Sequence, residues 1–149
     1  MRIRSIFAAL LLMPLAAQAA DGMNTMDSPY GVHETVDRLE KVVKDKGFTI
    51  FTRVDHAKGG AGVGLALRPT ELLIFGNPKT GTLLMQSNQT AAIDLPMKYL
   101  VWQDAAGKVH VGWNDPAWMA ARHGITDRAD LVKKMTGALK KFATVATAK

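Results

Sequence analysis

LPMKYLVWQDAAGKVHVGW, residues Leu95–Trp113, reads as two strands around a tight turn. The turn is Asp104-Ala-Ala-Gly107, with Gly107 suited to the positive-φ position of a short hairpin loop. With Ala105 to Gly107 as the loop, Asp104 faces Lys108, Trp102 faces His110 and Leu100 faces Gly112. On the other side Val101 meets Val111 and Tyr99 meets Trp113. Both faces therefore carry apolar side chains, whereas a sheet covered on one side only alternates cleanly between apolar and polar. The Leu100/Trp102/His110 face should have a cover: the glycine-rich segment upstream, a second copy of the chain, or a small apolar ligand beside Trp102, where Gly112 leaves room.

Upstream, Gly31 to Lys46 has a helical period, with Val32, Val36, Leu39 and Val43 on one stripe. Glu34–Arg38, Asp37–Lys41 and Glu40–Lys44 are i,i+4 pairs outside that stripe, and Gly47 is placed to end the helix. Phe48 to Val54 changes to a period of two and reads as a strand, as does Glu71 to Gly76. Asp55 to Arg68 is ambiguous: its alanines suit a helix, while Gly59, Gly60, Gly62 and Gly64 each weaken one by about 1 kcal/mol. Thr80 to Ser87 reads as a short helix after the Asn77-Pro78 turn. Downstream of the hairpin, Asp115 and Pro116 suit the N-cap and first position of a short helix ending at Arg122. A last helix runs from Thr126 to about Val145, with Leu131, Met135, Ala138, Leu139 and Phe142 as its apolar stripe. The class is α+β with a mostly antiparallel sheet.

The N-terminus carries an address. Arg2 and Arg4, the apolar run Ile6 to Leu15 and the small residues of Ala17-Gln18-Ala19 match a cleaved secretory leader, residues 1–19. Export to the periplasm follows if the source is a Gram-negative bacterium. A flexible tether at 20–28, a single domain at 29–145 and a tail at 146–149 complete the expected organisation. The 149 residues contain no cysteine, which leaves an exported chain without disulfides, thiolate metal sites or a cysteine nucleophile. Removing the leader's two arginines from a formal charge of +6 leaves a mildly basic domain, which argues for solubility rather than for nucleic acid. Lys133, Lys134, Lys140 and Lys141 allow weak contact with an anionic membrane surface, and no segment after the leader is apolar enough to span one.

From about Ser28 to Ile125 the chain resembles the family known as domain of unknown function 302. The matching residues include Gly47-Phe48, Asp55-His56, Arg68-Pro69-Thr70, Phe75-Gly76-Asn77-Pro78, Asp94-Leu95-Pro96, Asn114-Asp115-Pro116 and Arg122-His123. The resemblance implies a β-α-β4-α arrangement, a curved sheet of about five antiparallel strands packed against helices, with a first strand near Thr25 to Tyr30. It implies no activity. Two departures are the extra glycine between Gly59 and Gly64, and Trp113 where the family often has tyrosine.

Chemistry-bearing residues are sparse. Asp55-His56 is a carboxylate beside an imidazole, a pair able to serve acid/base work or metal binding. The alternative has Asp55 capping a helix and His56 bonding backbone. Gly60-Ala-Gly62-Val-Gly64 lacks the Lys-Ser/Thr of a phosphate loop. Asn77 either stabilises its own turn or donates to a ligand at the sheet edge. None of His33, His56, His110 and His123 sits at metal-ligand spacing from another, and no G-x-S-x-G occurs. No cofactor is expected. The leading reading is an exported, non-catalytic binding or interaction module working through Leu100, Trp102 and His110, next to Asp55-His56, with a homodimer or a small apolar ligand as partner. The alternative is an enzyme or metal-binding protein that uses Asp55 and His56 with Asn77.

Overall fold

The Leu95–Trp113 hairpin forms with the register its alternation dictates. In the computed structural model, which describes residues 21–149, β4 (Met97–Gln103) and β5 (Val109–Asn114) pair antiparallel. Trp102 lies opposite His110, Leu100 opposite Gly112 and Val101 opposite Val111, and Gly107 turns the chain at φ +83°. The expected leader lies outside the described residues.

The hairpin is the centre of a five-stranded, wholly antiparallel open sheet in the order β1-β5-β4-β3-β2. Its other strands are β1 (Met23–Ser28), β2 (Thr49–Asp55) and β3 (Thr70–Gly76). β1 occupies most of the segment expected as a flexible tether and starts two residues before the strand implied by the family resemblance. Its sequence, MNTMDS, has no local strand pattern. It is ordered by pairing with β5, Met23 opposite Asn114 through Ser28 opposite Val109, a partner more than eighty residues away.

Helix α1 (Val32–Asp45) follows β1, and Gly47 ends it at φ +75°. Of the three expected pairs along it, Glu34–Arg38 and Glu40–Lys44 form, at 3.8 and 2.5 Å. Asp37 instead pairs with Arg53 of β2, and Lys41 with Asp45. The ambiguous glycine-rich stretch resolves into a short helix, α2 (His56–Gly62), and an extended loop to Pro69. Then come α3 (Pro78–Ser87), a 3₁₀ turn (Gln89–Ile93), α4 (Pro116–Arg122) and α5 (Ala129–Thr147).

One face of the sheet meets α1 and α5. Val36, Leu39 and Val43 from α1 and Leu139, Phe142 and Ala143 from α5 close over Leu73, Phe75, Tyr99, Val101 and Val111. Aromatic rings stitch the layers together: Phe75 stacks on Tyr99 at 5.1 Å, and Tyr99 and Phe142 meet Trp113 and Phe48 edge-on. The buried Tyr99 hydroxyl donates to Leu139 O of α5 at 2.6 Å, and burial pushes its phenol far above the usual range. Thr35 Oγ1 donates to Gly31 O and meets Ser28 Oγ, which ties α1 to β1.

The edge strand β1 is clipped on the opposite face. Lys108 Nζ lies 2.6 Å from Asp27, and the His110 ring sits between Asp27 Oδ1 and Asp104 Oδ2 at 3.0 and 2.8 Å. The hydrogen bond from Lys108 holds Asp27 below the ordinary aspartate range, and the one from His110 does the same for Asp104.

Tyr99→Phe should lower unfolding free energy by about 1 kcal/mol in urea denaturation, with the fold retained, because Leu139 O keeps its helical partner while one buried bond is lost. Acid tests the β1 clip. Both carboxyls have depressed folded-state values, so their stabilisation is complete above the unfolded value near pH ~4 and lost as pH falls through the folded values. The Asp27→Asn/Asp104→Asn protein should melt below wild type at neutral pH, and the gap in Tm should close toward pH ~2.

Candidate functional site

An apolar concavity lies where β3 ends and β4 begins. Gly76, the last residue of β3, is shaped by close approach: a Cβ there would stand 3.2 Å from the Phe51 ring and 3.3 Å from Pro96 Cβ. Asn77 then caps α3, its Oδ1 accepting from Lys79 N at 3.0 Å, and Pro78 occupies the first helical turn. This turn swings α3 away from the sheet. Between α3, the Leu95-Pro96 entry to β4 and α5 lies a cavity of about 500 Å³. That is within the roughly 300–1,000 Å³ typical of small-ligand sites.

Its walls are apolar. Phe48 precedes β2 and Phe51 lies within it, Met85 comes from α3, and Leu95, Pro96 and Met97 from the β4 entry. Helix α5 contributes Leu131, Met135, Ala138, Leu139 and Phe142, the whole stripe that its period predicts. Met135, Leu139 and Phe142 are buried, while Leu131 and Ala138 are only half-buried. The same stripe therefore serves both the core and the cavity wall. Polar side chains enter at Asn77, Thr80 and Lys134, with no Asp or Glu among the lining residues.

The residues singled out from sequence fall into three places. Asp55 and Asn77 lie at opposite ends of the β2–β3 pair, since Asp55 pairs with Glu71 while Thr49 pairs with Gly76. Six residues of strand separate those ends, about 20 Å. Asp55 Oδ1 accepts from Lys58 N at 2.8 Å, the N-cap of α2, and His56 is exposed in the first turn of that helix. The convergence of Asp55, His56 and Asn77 that acid/base or metal chemistry requires is therefore not formed. Among the described residues no cluster of three or more His, Asp or Glu is arranged to hold a metal ion.

Leu100, Trp102 and His110 do share the outer face of the sheet. The Trp102 and His110 rings lie 5.2 Å apart, tilted by 31°. The room expected beside Gly112 is filled from within: Trp102 Cζ3 stands 3.0 Å, and Met23 Sδ 3.3 Å, from where a Cβ would be. Both His110 nitrogens face carboxylates, which leaves neither free for a ligand. The glycine-rich segment does not cover this face with its own apolar residues. Val63, Leu65 and Leu67 remain 73%, 67% and 52% exposed.

Two further polar clusters were not read from sequence. Glu71, buried on the core side, is held by Arg53 Nη2 at 2.8 Å and faces His33 Nδ1 at 3.0 Å. Asp94 meets His123 Nε2 at 2.6 Å and accepts from Arg122, while His123 Nδ1 meets Thr90 Oγ1 at 2.9 Å. The second row has the residue types of a hydroxyl–imidazole–carboxylate relay. Its Thr90 hydroxyl also lies 2.8 Å from Asn88 Oδ1, and Asn88 Nδ2 donates to His123 O, so the row fastens the 3₁₀ turn to the end of α4. Asp94-Leu95-Pro96 and Arg122-His123, separate in sequence, are joined here.

Comparison with known proteins bears on this architecture. A crystal structure of an uncharacterized conserved protein DUF302 from Bacillus stearothermophilus superposes with a TM-score of 0.75, covering 85% of this chain and 99% of that one at 23% identity. Proteins named Fluoride-specific ion channel FluC 1 from Brucella suis and Brucella abortus are 45% identical over 134 residues, 87% of this chain. The chain spans about half the length of these curated relatives, 53% and 50% respectively. Residues 24–142, nearly all of the described domain, match the family described as Domain of unknown function DUF302, and the chain belongs to that family.

Proposed function

We propose that this protein is an exported, non-catalytic module that binds a small apolar ligand in the cavity between α3, α5 and the β4 entry. The observation that carries the reading is a cavity of about 500 Å³ whose walls are Phe, Met, Leu, Pro and Ala side chains from five separate segments. An apolar concavity of this size with a few polar side chains is what ligand recognition needs. Binding is favoured over catalysis because Asp55 and His56 are about 20 Å along the strand pair from Asn77. Binding in the cavity is favoured over the outer sheet face because Trp102 fills the space beside Gly112. Export rests on the leader-like residues 1–19. Fluoride conduction, the activity in the relatives' names, forms no part of this reading. It is named for chains of which this one spans about half, and among the described residues no helix is long and apolar enough to cross a membrane.

A second reading concerns the outer face. Val54 pairs with Leu72 and Leu72 with Leu100 on this face, and exposed Val54, Val63, Leu65 and Leu67 add apolar surface suited to self-association as a homodimer. Sedimentation of the exported form should then give a dimer mass that Leu65→Glu reduces to a monomer; a monomeric wild type removes the idea. For the ligand site, Ala138→Trp and Met85→Trp each place an indole in the cavity. Nile red, a neutral apolar dye, should bind wild type and lose at least about ten-fold in affinity in both variants, with thermal unfolding still cooperative. Equal dye affinity in all three proteins would place binding elsewhere.

A further inference from the structure

We infer that the cavity takes a single-chain anionic amphiphile, a medium-to-long-chain carboxylate, with Lys134 pairing its head. The inference rests on the cavity reading above and goes beyond it by naming the chemistry of the occupant. Among the lining residues Lys134 is the only side chain charged at neutral pH. It lies one helical turn from Leu131 and from Ala138, both wall residues, and is itself exposed at the cavity margin, where a neighbouring concavity carrying Asp127 and Asp130 begins. Among the described residues Lys134 Nζ has no ion pair or hydrogen bond, in contrast to Lys41, Lys44 and Lys108, which each hold a carboxylate.

The other polar groups of the lining have the same bias. Asn77 spends its Oδ1 on the cap of α3, while its Nδ2 makes no hydrogen bond to the described residues, and Thr80 adds a hydroxyl on the next turn. Lys134 Nζ, Asn77 Nδ2 and Thr80 Oγ1 can all donate, and no carboxylate of the lining competes for them. A neutral hydrocarbon would leave these donors unused. A cationic amphiphile would meet an uncompensated ammonium. A chain with a carboxylate end satisfies both the walls and the donors.

Three probes with one chain separate head from tail: dodecanoate, dodecanol and dodecyltrimethylammonium, titrated by calorimetry below their aggregation concentrations. Dodecanoate should bind about five-fold more tightly than dodecanol, the effect of one solvent-exposed ion pair, and dodecyltrimethylammonium more weakly than either. Lys134→Met should bring dodecanoate and dodecanol to equal affinity. Lys134→Glu should reverse the order in favour of the cation, and its fold can be checked by the retained binding of dodecanol. Equal affinities for dodecanoate and dodecanol in wild type, unchanged in Lys134→Met, would overturn the head assignment and leave the cavity reading in place. Dodecanoate binding that persists in Ala138→Trp would overturn the cavity reading itself, and so would failure of all three probes. Salt-sensitive co-sedimentation with phosphatidylglycerol vesicles, together with dodecanoate affinity unchanged in Lys134→Met, would assign the lysine to a bilayer surface and overturn the inference.

Discussion

Tyr99 is the point through which the sheet is fixed to its helices. It lies in β4, the middle strand of five, and its ring stacks on Phe75 of β3 and meets Trp113 of β5 edge-on. Its hydroxyl reaches a backbone carbonyl of α5. A buried phenol without that bond would cost about 1–3 kcal/mol, so the position of α5 over the sheet is set to within hydrogen-bond tolerance. Once α5 is held there, the packing of Leu139, Phe142 and Ala143 follows.

The cavity is a consequence of that docking. Leu131, Met135 and Ala138 of α5 face the β3 exit, α3 and the β4 entry across the cavity. Phe51, displaced by a bulge between Ile50 and Thr52, and Pro96 close the floor. Asn77 and Pro78 start α3 in a direction that leaves the third side open, because their capping geometry and fixed φ act before any tertiary contact. Apolar side chains from β2, α3, the β4 entry and α5 thus surround a space that none of them fills.

The outer face of the sheet follows a different logic. Apolar residues at Leu72, Ile74, Leu100 and Trp102 sit beside polar Lys98 and a charged cluster at Asp27, Lys108 and His110. Part of the apolar surface is covered laterally, Trp102 lying across Gly112 and against His110. Val63, Leu65 and Leu67 remain exposed where the glycines leave a loop rather than a packed helix. Four glycines in six residues weaken that helix enough that it stops at Gly62.

What could be read without coordinates was whatever local periodicity and capping encode. The hairpin register, the α1 stripe ended by Gly47, the Asp115-Pro116 start of α4 and the apolar side of α5 all follow from spacing and φ preference within a few residues. The same local chemistry accounts for Asp55, which caps a helix as such residues do before a glycine- and alanine-rich turn. Pairings across long stretches of chain were decided only in three dimensions. β1 is a strand because β5 offers it a free edge, Asp94 and His123 meet because the hairpin and α4 fold back on the 3₁₀ turn, and Lys134 lies at a cavity because α3, α5 and the β4 entry meet around it. Local sequence determines which conformations a segment prefers at a cost near thermal energy; which side chains become neighbours, and which gaps stay open between them, depends on the burial of the whole apolar surface at once.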